Sequence, residues 1–287
     1  MIRPGFEGTP RYFAWLYAGG RMQAILKPLF GIESEVSAAL QPGLEHSVAH
    51  VRMGWWAEEA ARLRAGHALH PLTRALLAQH PAGAVTADIS GLIDVATWDL
   101  AAATFETRTE LAGYCDRWAR AVPQLAATWA AADLAAPIAQ QFGHRIGVAL
   151  CELDMLVSLE YSARLGRLRI PLEELSALGV APAALAQPPW PPALCDRLRA
   201  RHQDLRGALT SSCAELHAHG HRVALRGLLV WAAVMQQHSR RAEGALPCSW
   251  ERSRWNGIGD SLGAWRAARR ALRGPSNKHQ AHVAEHS

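Results

Sequence analysis

Acidic side chains recur at three places in segments of helical pattern, and they are the first feature of this chain that could bind a metal ion. They are Glu33 and Glu35, Asp94 and Asp99, and Asp154 and Glu160. Two carboxylates four residues apart lie on one face of a helix and can hold Mg²⁺, which in turn binds a diphosphate. On the face that contains Asp154, the residues one and two turns further on are Ser158 and Ser162. Serine is a neutral and weak Mg²⁺ ligand, so Asp154 is the remaining acid at this spacing.

Arginine offers a second way to bind a diphosphate, because its guanidinium fork donates several hydrogen bonds without a metal. The candidates are Arg11, Arg21, Arg52, Arg164 and Arg167. Structural pairing with nearby acids is the alternative for these arginines, and the sequence leaves both interpretations open. Among the acids, we interpret Glu33 and Glu160 as solvated surface residues.

The elements that must position these side chains are predicted to be helices. Alanine, leucine and arginine dominate the 287 residues, and β-branched residues are sparse. No strand-like alternation and no internal repeat is present, and a chain of this length can bury a substantial core. We predict one all-α domain over 11–273, a Pro/Gly-rich lead-in over 1–10 and a disordered tail over 274–287. Within the domain, Gly19-Gly20 separates the first two helices, and Pro28 is expected to kink the second helix or start a new one.

Charge and cysteine content restrict the class of protein. The net charge of +5 permits an anionic partner such as a diphosphate or an acidic membrane surface without requiring one. The five cysteines include no Cys-x-x-Cys spacing, which favours a reduced, cytoplasmic chain. The first residues lack the apolar stretch of a signal peptide, and the longest apolar run, 228–235, is too short to span a bilayer. We expect a soluble or membrane-peripheral protein with no nucleic-acid partner.

Two segments carry a resemblance to a known family. The first, over 46–77, contains Arg52, Trp55, Trp56, Glu58, Glu59, Gly66, His70, Pro71 and Thr73. The second contains Ala163-Arg164-Leu165-Gly166-Arg167 and then Ile170-Pro171-Leu172-Glu173-Glu174-Leu175. Both resemble signature segments of the squalene/phytoene synthase family, the head-to-head prenyl transferases. The resemblance implies an all-α, single-domain helical bundle with a central cavity, Mg²⁺ as the cofactor if the protein is active, and a prenyl diphosphate or other lipid as the partner.

The aspartate motifs of that family are not matched. Ala39, Ser158 and Ser162 stand where the resemblance implies aspartates, while Glu35 keeps one acidic motif position. By resemblance, the catalytic candidates are Glu35, Asp99 and Asp154, and the metal-ligand candidates are Glu35 and Asp154. The diphosphate-binding candidates are Arg21, Arg52, Arg164 and Arg167. Trp118 and Arg120 replace small residues of the family pattern and are expected to narrow or fill the cavity.

Three functions remain open at this stage. The leading hypothesis is a divergent family member in which the Mg²⁺-dependent condensation is weakened or lost. The first alternative is an active prenyl transferase that uses Glu35, Asp94, Asp99 and Asp154 as substitute ligands. The second is a non-enzymatic assembly or scaffold protein, similar to a complex I assembly factor of the same fold. The basic segment around Leu262 and Trp265 is consistent with peripheral membrane contact, although an ordinary final helix is the favoured interpretation.

Overall fold

The predicted all-α architecture is confirmed in the computed structural model, which describes residues 8–41, 44–101, 104–131, 136–251 and 256–273. No strand occurs in these residues. The helices are α1 Pro10–Leu16, α2 Gly20–Ala38, α3 His46–Arg64, α4 Pro71–Leu77, α5 Ser90–Leu100, α6 Arg108–Ala119, α7 Leu125–Ala130, α8 Ala136–Val157, α9 Leu159–Arg164, α10 Leu172–Ala177, α11 Pro192–Ala218, α12 Arg226–Ala245 and α13 Asn256–Leu272. Short 3₁₀ turns lie at Pro182–Ala186 and Gly220–Arg222. The predicted tail over 274–287 and most of the lead-in lie outside the described residues.

Glycines of the two family-like segments end helices. Gly66 follows α3 with φ +81°, and Gly166 follows α9 with φ +76°. After α9, the Arg167 N–H donates to the Ser162 carbonyl at 2.9 Å, and the Gly166 N–H donates to the Ala163 carbonyl at 2.9 Å. This pair of bonds is the Schellman motif, which needs a left-handed residue that glycine adopts without strain. These glycines therefore have a structural role.

Glu59 joins α3 to the start of α4 through a buried hydrogen-bond cluster. Its side chain is fully buried, and it accepts from the backbone N–H groups of Leu69 and His70, each at 2.8 Å. The Thr73 hydroxyl also donates to Glu59, and Arg62 donates at 2.8 Å. Burial opposes ionisation, but the hydrogen bonds from Thr73, His70, Arg62 and Leu69 prevail and lower the pKa of Glu59 from 4.5 to about 2. These signature residues therefore fix the turn between α3 and α4.

This carboxylate makes the stability of the protein depend on pH. Because the pKa of Glu59 is lowered by folding, its contribution is complete above the unfolded value and disappears as the pH falls from about 5 to about 2. We expect this group to account for about 3 kcal/mol of unfolding free energy across that window. Urea unfolding at a series of pH values measures it, with Glu59→Gln as the non-titrating control. Equal pH slopes for the two proteins would contradict the assignment.

The helix α8 lies at the centre of the bundle and packs against α6, α7, α11 and α12. A π-helical turn at Arg120–Gln124 joins α6 to α7, and α8 approaches it closely. A Cβ at Gly147 would lie 2.4 Å from Pro123 Cγ and 2.9 Å from Ala119 Cβ, so this crossing requires glycine. This contact sets the position of the C-terminal half of α8, which carries Asp154.

Pro28 does not start a new helix, because α2 runs through it, and Pro28 is buried together with Leu29 and Phe30. Helix α8, which carries Asp154, ends at Val157, and Ser158 (φ −102°, ψ 20°) separates it from α9. The Ser158 hydroxyl donates to the Asp154 carbonyl at 2.7 Å, a side-chain bond that competes with the helical ladder.

Candidate functional site

A cavity of about 180 Å³ lies between α1, α2, α5, α6 and the C-terminal half of α8. One part of its wall is apolar and includes Val36, Leu40, Leu92, Val95 and Met155. The other part carries ionisable side chains, which form two separate clusters. The chemistry available to the cavity therefore depends on how these charges are paired.

The first cluster is built around Arg11, at the beginning of α1. Its Nε and Nη2 atoms donate to the two carboxylate oxygens of Glu33 at 2.7 and 2.9 Å, and its Nη1 lies 3.3 Å from Asp154 Oδ2. The Arg11 guanidinium also lies over the rings of Trp118 and Trp231, at 5.6 and 5.3 Å from the centroids. Trp118 Nε1 donates to Glu33 Oε1 at 2.9 Å. Arg11 therefore bonds to both carboxylates and packs against two neighbouring indole rings, whose centroids lie 5.7 Å apart.

The second cluster is built around Asp99, at the end of α5. Arg169 Nη1 and Nη2 donate to the two oxygens of Asp99 at 2.7 and 2.9 Å, a bidentate geometry. The Tyr114 hydroxyl donates to Asp99 Oδ2 at 3.1 Å. The side chains of Arg169 and Asp99 are 10% and 11% exposed. The carboxylate of Asp99 therefore has both oxygens occupied by protein donors.

These pairs leave the cavity with little free charge. Its charged lining consists of three carboxylates and two arginines, which leaves one negative charge in excess. Burial alone would lower the pKa of Arg11, but the charges of Glu33 and Asp154 raise it above its ordinary value. The pKa of Arg169 is likewise raised, by its bonds to Asp99 against the effect of burial. Both arginines therefore stay protonated and bound to their acids.

The structure brings several of the predicted site residues together. Asp99, Asp154, Ser158 and Ser162 all line the cavity, so the two serines that replace the expected aspartates do face it. Glu35 lies on the exposed side of α2 and does not line the cavity. Ala39 is buried, at 1% exposure, and is also absent from the lining.

The predicted diphosphate-binding arginines lie outside this cavity. Arg52 is exposed on α3, and Arg164 is exposed and pairs with Glu160. Arg167 donates to the Leu40 carbonyl at 2.8 Å and so ties the turn after α9 to the end of α2. Arg21 lies in the first turn of α2 and is absent from the lining. Among the described residues, the arginines that line the cavity are Arg11 and Arg169.

The interpretation of Glu33 and Glu160 as solvated surface acids is wrong. Glu33 is 9% exposed, and the side chain of Glu160 is 12% exposed. The sequence contained a signal for Glu33, since it follows the buried Leu29 and Phe30 by four and three residues on the same helical face. No comparable signal marks Arg169, whose partner Asp99 is 70 residues away in the chain.

Two other predicted residues lie apart from Asp154. Asp94 lines a second cavity of about 310 Å³, together with Arg117, Gln124 and Trp129. Arg120 lies at the rim of the same second cavity and pairs with Asp116 at 2.8 Å. Of the two bulky replacements, Trp118 is therefore the one that narrows the central cavity.

Comparison with known protein families agrees with the all-α fold and with the family-like segments of the sequence. The family model for squalene/phytoene synthase matches residues 31–245, which are 215 of the 287 residues. The chain belongs to the squalene/phytoene synthase family. The matched range includes both family-like segments, the whole of α8 and every lining residue of the central cavity except Arg11.

Solved structures of this family share the fold. The chain is similar to a dehydrosqualene synthase in complex with ligand, with a TM-score of 0.71 and 13% identity over 90% of this chain and 91% of that one. It is also similar to squalene synthase HpnC from Alicyclobacillus acidocaldarius, with a TM-score of 0.64 and 15% identity over 82% and 89% of the two chains. At such low identity the likeness shows the fold alone. No curated protein sequence is significantly similar to this chain.

The Mg²⁺ that the family typically uses does not fit the donor set of this cavity. Glu33 accepts two hydrogen bonds from Arg11, and Asp99 accepts two from Arg169. Ser158 and Ser162, which stand at the aspartate positions of the family motif, face the cavity as neutral hydroxyls. None of the buried polar side-chain atoms that lack a partner in the described part of the chain lines this cavity. Nor does any group of three His, Cys, Asp or Glu side chains suited to a metal ion occur there. Across the same described residues, no helix is both long enough and apolar enough to cross a membrane.

Proposed function

We propose that this chain is a divergent member of the squalene/phytoene synthase family that has lost the Mg²⁺-dependent condensation of prenyl diphosphates. The observation that carries the proposal is the position of Arg11 between Glu33 and Asp154. A guanidinium there supplies the positive charge that the carboxylates would otherwise take from metal ions. It is fixed to the protein and cannot bridge to a diphosphate while both acids hold it.

The charge balance supports the same conclusion. Mg²⁺ requires oxygen ligands in near-octahedral geometry, usually one or two carboxylates with waters and substrate phosphates. Asp154 is the lining carboxylate with the weakest bonds, at 3.3 and 3.4 Å to Arg11, and its side chain is 45% exposed. One such carboxylate, with Ser158 and Ser162 beside it, provides too little negative charge for several metal ions.

The size of the cavity adds a second argument. Its volume of about 180 Å³ is below the ~300–1,000 Å³ of most ligand sites. A head-to-head condensation needs room for two prenyl chains and their diphosphates. The apolar wall formed by Leu92, Val95 and Met155 suits one uncharged isoprenoid segment or another lipid chain instead. Binding of a lipid without turnover is therefore the activity that this cavity supports best.

A scaffold or assembly role is the second candidate, and one observation favours it. The outward face of α13 carries exposed apolar side chains that include Ile258 at 66% exposure. A narrow cavity and an exposed apolar surface are the combination expected of a family member that works by association. An active transferase with substitute acids is less well supported, because Glu35 lies off the cavity and Asp99 is held by Arg169.

The experiment is a turnover assay on the purified protein. Farnesyl and geranylgeranyl diphosphate are supplied with Mg²⁺, with and without NADPH, and pyrophosphate release and extracted products are measured. We expect no release above a protein-free control. Asp154→Asn and Glu35→Ala serve as a matched pair, since the first faces the cavity and the second does not. Release that requires Asp154 and is indifferent to Glu35 would overturn the proposal.

A further inference from the structure

The last helix, α13, presents an unusual outward face. Four large apolar side chains on it are exposed: Ile258 at 66%, Leu262 at 43%, Trp265 at 43% and Leu272 at 55%. At 3.6 residues per turn they fall within an arc of roughly 80° and form one stripe along the helix. Isolated exposed apolar residues need no explanation, but an aligned set on one helix marks an interaction surface.

A basic stripe lies next to the apolar one. Arg266, Arg269, Arg270 and Arg273 are all exposed, and they occupy the adjoining arc of roughly 100°. Among the described residues, no carboxylate forms an ion pair with any of the four. The guanidinium of Arg269 lies over the ring of Trp265, 4.9 Å from its centroid, which places one cation directly above the apolar stripe.

The opposite face of α13 is fixed to the bundle. Ala264 and Ala268 are buried against Phe13 of α1 and against Val230 and Val234 of α12. The inward face is therefore packed against the bundle, and its small side chains allow a close approach between helices. The outward stripe cannot turn into the core without breaking this packing.

A buried ion pair holds the first part of α13 in the same orientation. Asp260 is fully buried, and its two oxygens lie 2.8 Å from His238 Nε2 and 2.6 Å from Arg241 Nη1. Both partners belong to α12. The exposure of the apolar and basic stripes is therefore a property of the folded molecule and not of a helix free to rotate.

We propose that the outward face of α13 docks on an anionic lipid surface. Apolar side chains with a tryptophan, beside unpaired arginines and with no acid between them, are the composition of a helix that lies in the membrane interface. Each arginine near an anionic surface strengthens binding about fivefold, and the apolar stripe adds burial. An acidic protein partner would pair with the arginines, but it would not account for the exposure of the apolar side chains of Leu262 and Trp265. This inference is independent of the fate of the central cavity.

Vesicle cosedimentation tests the inference on the full chain. The probes are vesicles of phosphatidylcholine alone and with about 30% phosphatidylglycerol. We expect binding to the anionic vesicles only, weakened by salt because the arginine contribution is screened. Leu262→Ser with Trp265→Ser, and separately Arg266→Gln with Arg270→Gln, should each lower the partition coefficient at least about tenfold.

Val85→Ser is the matched control, because Val85 is 77% exposed but lies far from α13 in the chain. It should bind anionic vesicles as the native protein does. Circular dichroism of each variant checks that the fold is retained, which is expected because every substituted side chain is exposed. Absence of vesicle binding, or equal binding by the α13 variants, would overturn the inference. A dimer seen by sedimentation velocity and dissociated by the Leu262→Ser, Trp265→Ser double substitution would also overturn the inference, because a second copy of the chain would then cover the apolar stripe.

Discussion

Replacing Arg11 with methionine is expected to lower the free energy of unfolding by about 3–5 kcal/mol. The substitution keeps an apolar chain against Trp118 and Trp231 but removes the cation. Glu33, whose side chain is 12% exposed, would then lose both guanidinium bonds, which leaves Trp118 as its side-chain donor among the described residues. A buried carboxylate without its counter-charge is one of the costliest single changes in a folded protein. Urea unfolding at neutral pH measures the loss.

Two controls separate the buried pair from the loss of an arginine in general. Adding Glu33→Gln to the Arg11→Met protein removes the stranded charge and should recover more than half of the loss. Arg199→Met removes an arginine from an exposed pair with Asp196, 45% and 75% exposed, and should cost less than about 1 kcal/mol. If Arg11→Met cost no more than Arg199→Met, the Arg11 cluster would not be the structural centre of the cavity.

A triple substitution should convert the cavity into a metal site. In Arg11→Gln, Ser158→Asp, Ser162→Asp, the cation leaves and two carboxylates join Glu33 and Asp154 on the cavity wall. We expect the affinity for Mn²⁺, a spectroscopic substitute for Mg²⁺, to rise by at least about 100-fold, since affinity increases with ligand charge. The unfolding free energy should then rise by about 2.7 kcal/mol when the metal is at 100 times its dissociation constant.

The matched control carries Arg11→Gln with Ser158→Asn and Ser162→Asn. It has the same shape and lacks the two added charges. Charge repulsion should destabilise this protein less than the aspartate variant, because Glu33 and Asp154 are then without the two added carboxylates. It should gain no stability from Mn²⁺. An equal response of both variants to the metal would mean that Ser158 and Ser162 do not face a common site.

Much of the fold could be predicted from local sequence signals. Gly66 and Pro71 mark the end of one helix and the start of the next, and the structure uses both in that way. The helix-favouring composition and the absence of strand-like alternation predicted an all-α chain, and no strand occurs in the described residues. These features follow from backbone preferences of single residues, which act whatever the rest of the chain does.

The content of the cavity could be predicted only in part. The loss of two aspartates was visible at Ser158 and Ser162, and both line the cavity. The contact between Arg11 and Asp154 was not visible, because the two residues are 143 positions apart in the chain. Local preference carries no information about such a pair. Glu35, which was matched to the family motif, lies on the exposed side of α2, whereas Glu33 follows the buried Leu29 and Phe30 on the same helical face and lines the cavity.

A Mn²⁺ titration of the native protein, followed by electron paramagnetic resonance with and without pyrophosphate, tests the central claim most directly. If Arg11 and Arg169 occupy the carboxylates of the cavity, the native protein should bind Mn²⁺ no more tightly than about 1 mM, and pyrophosphate should not improve it. Asp154→Asn should give the same curve. Tight binding of two or more Mn²⁺ ions in the presence of pyrophosphate, lost in Asp154→Asn, would contradict the account.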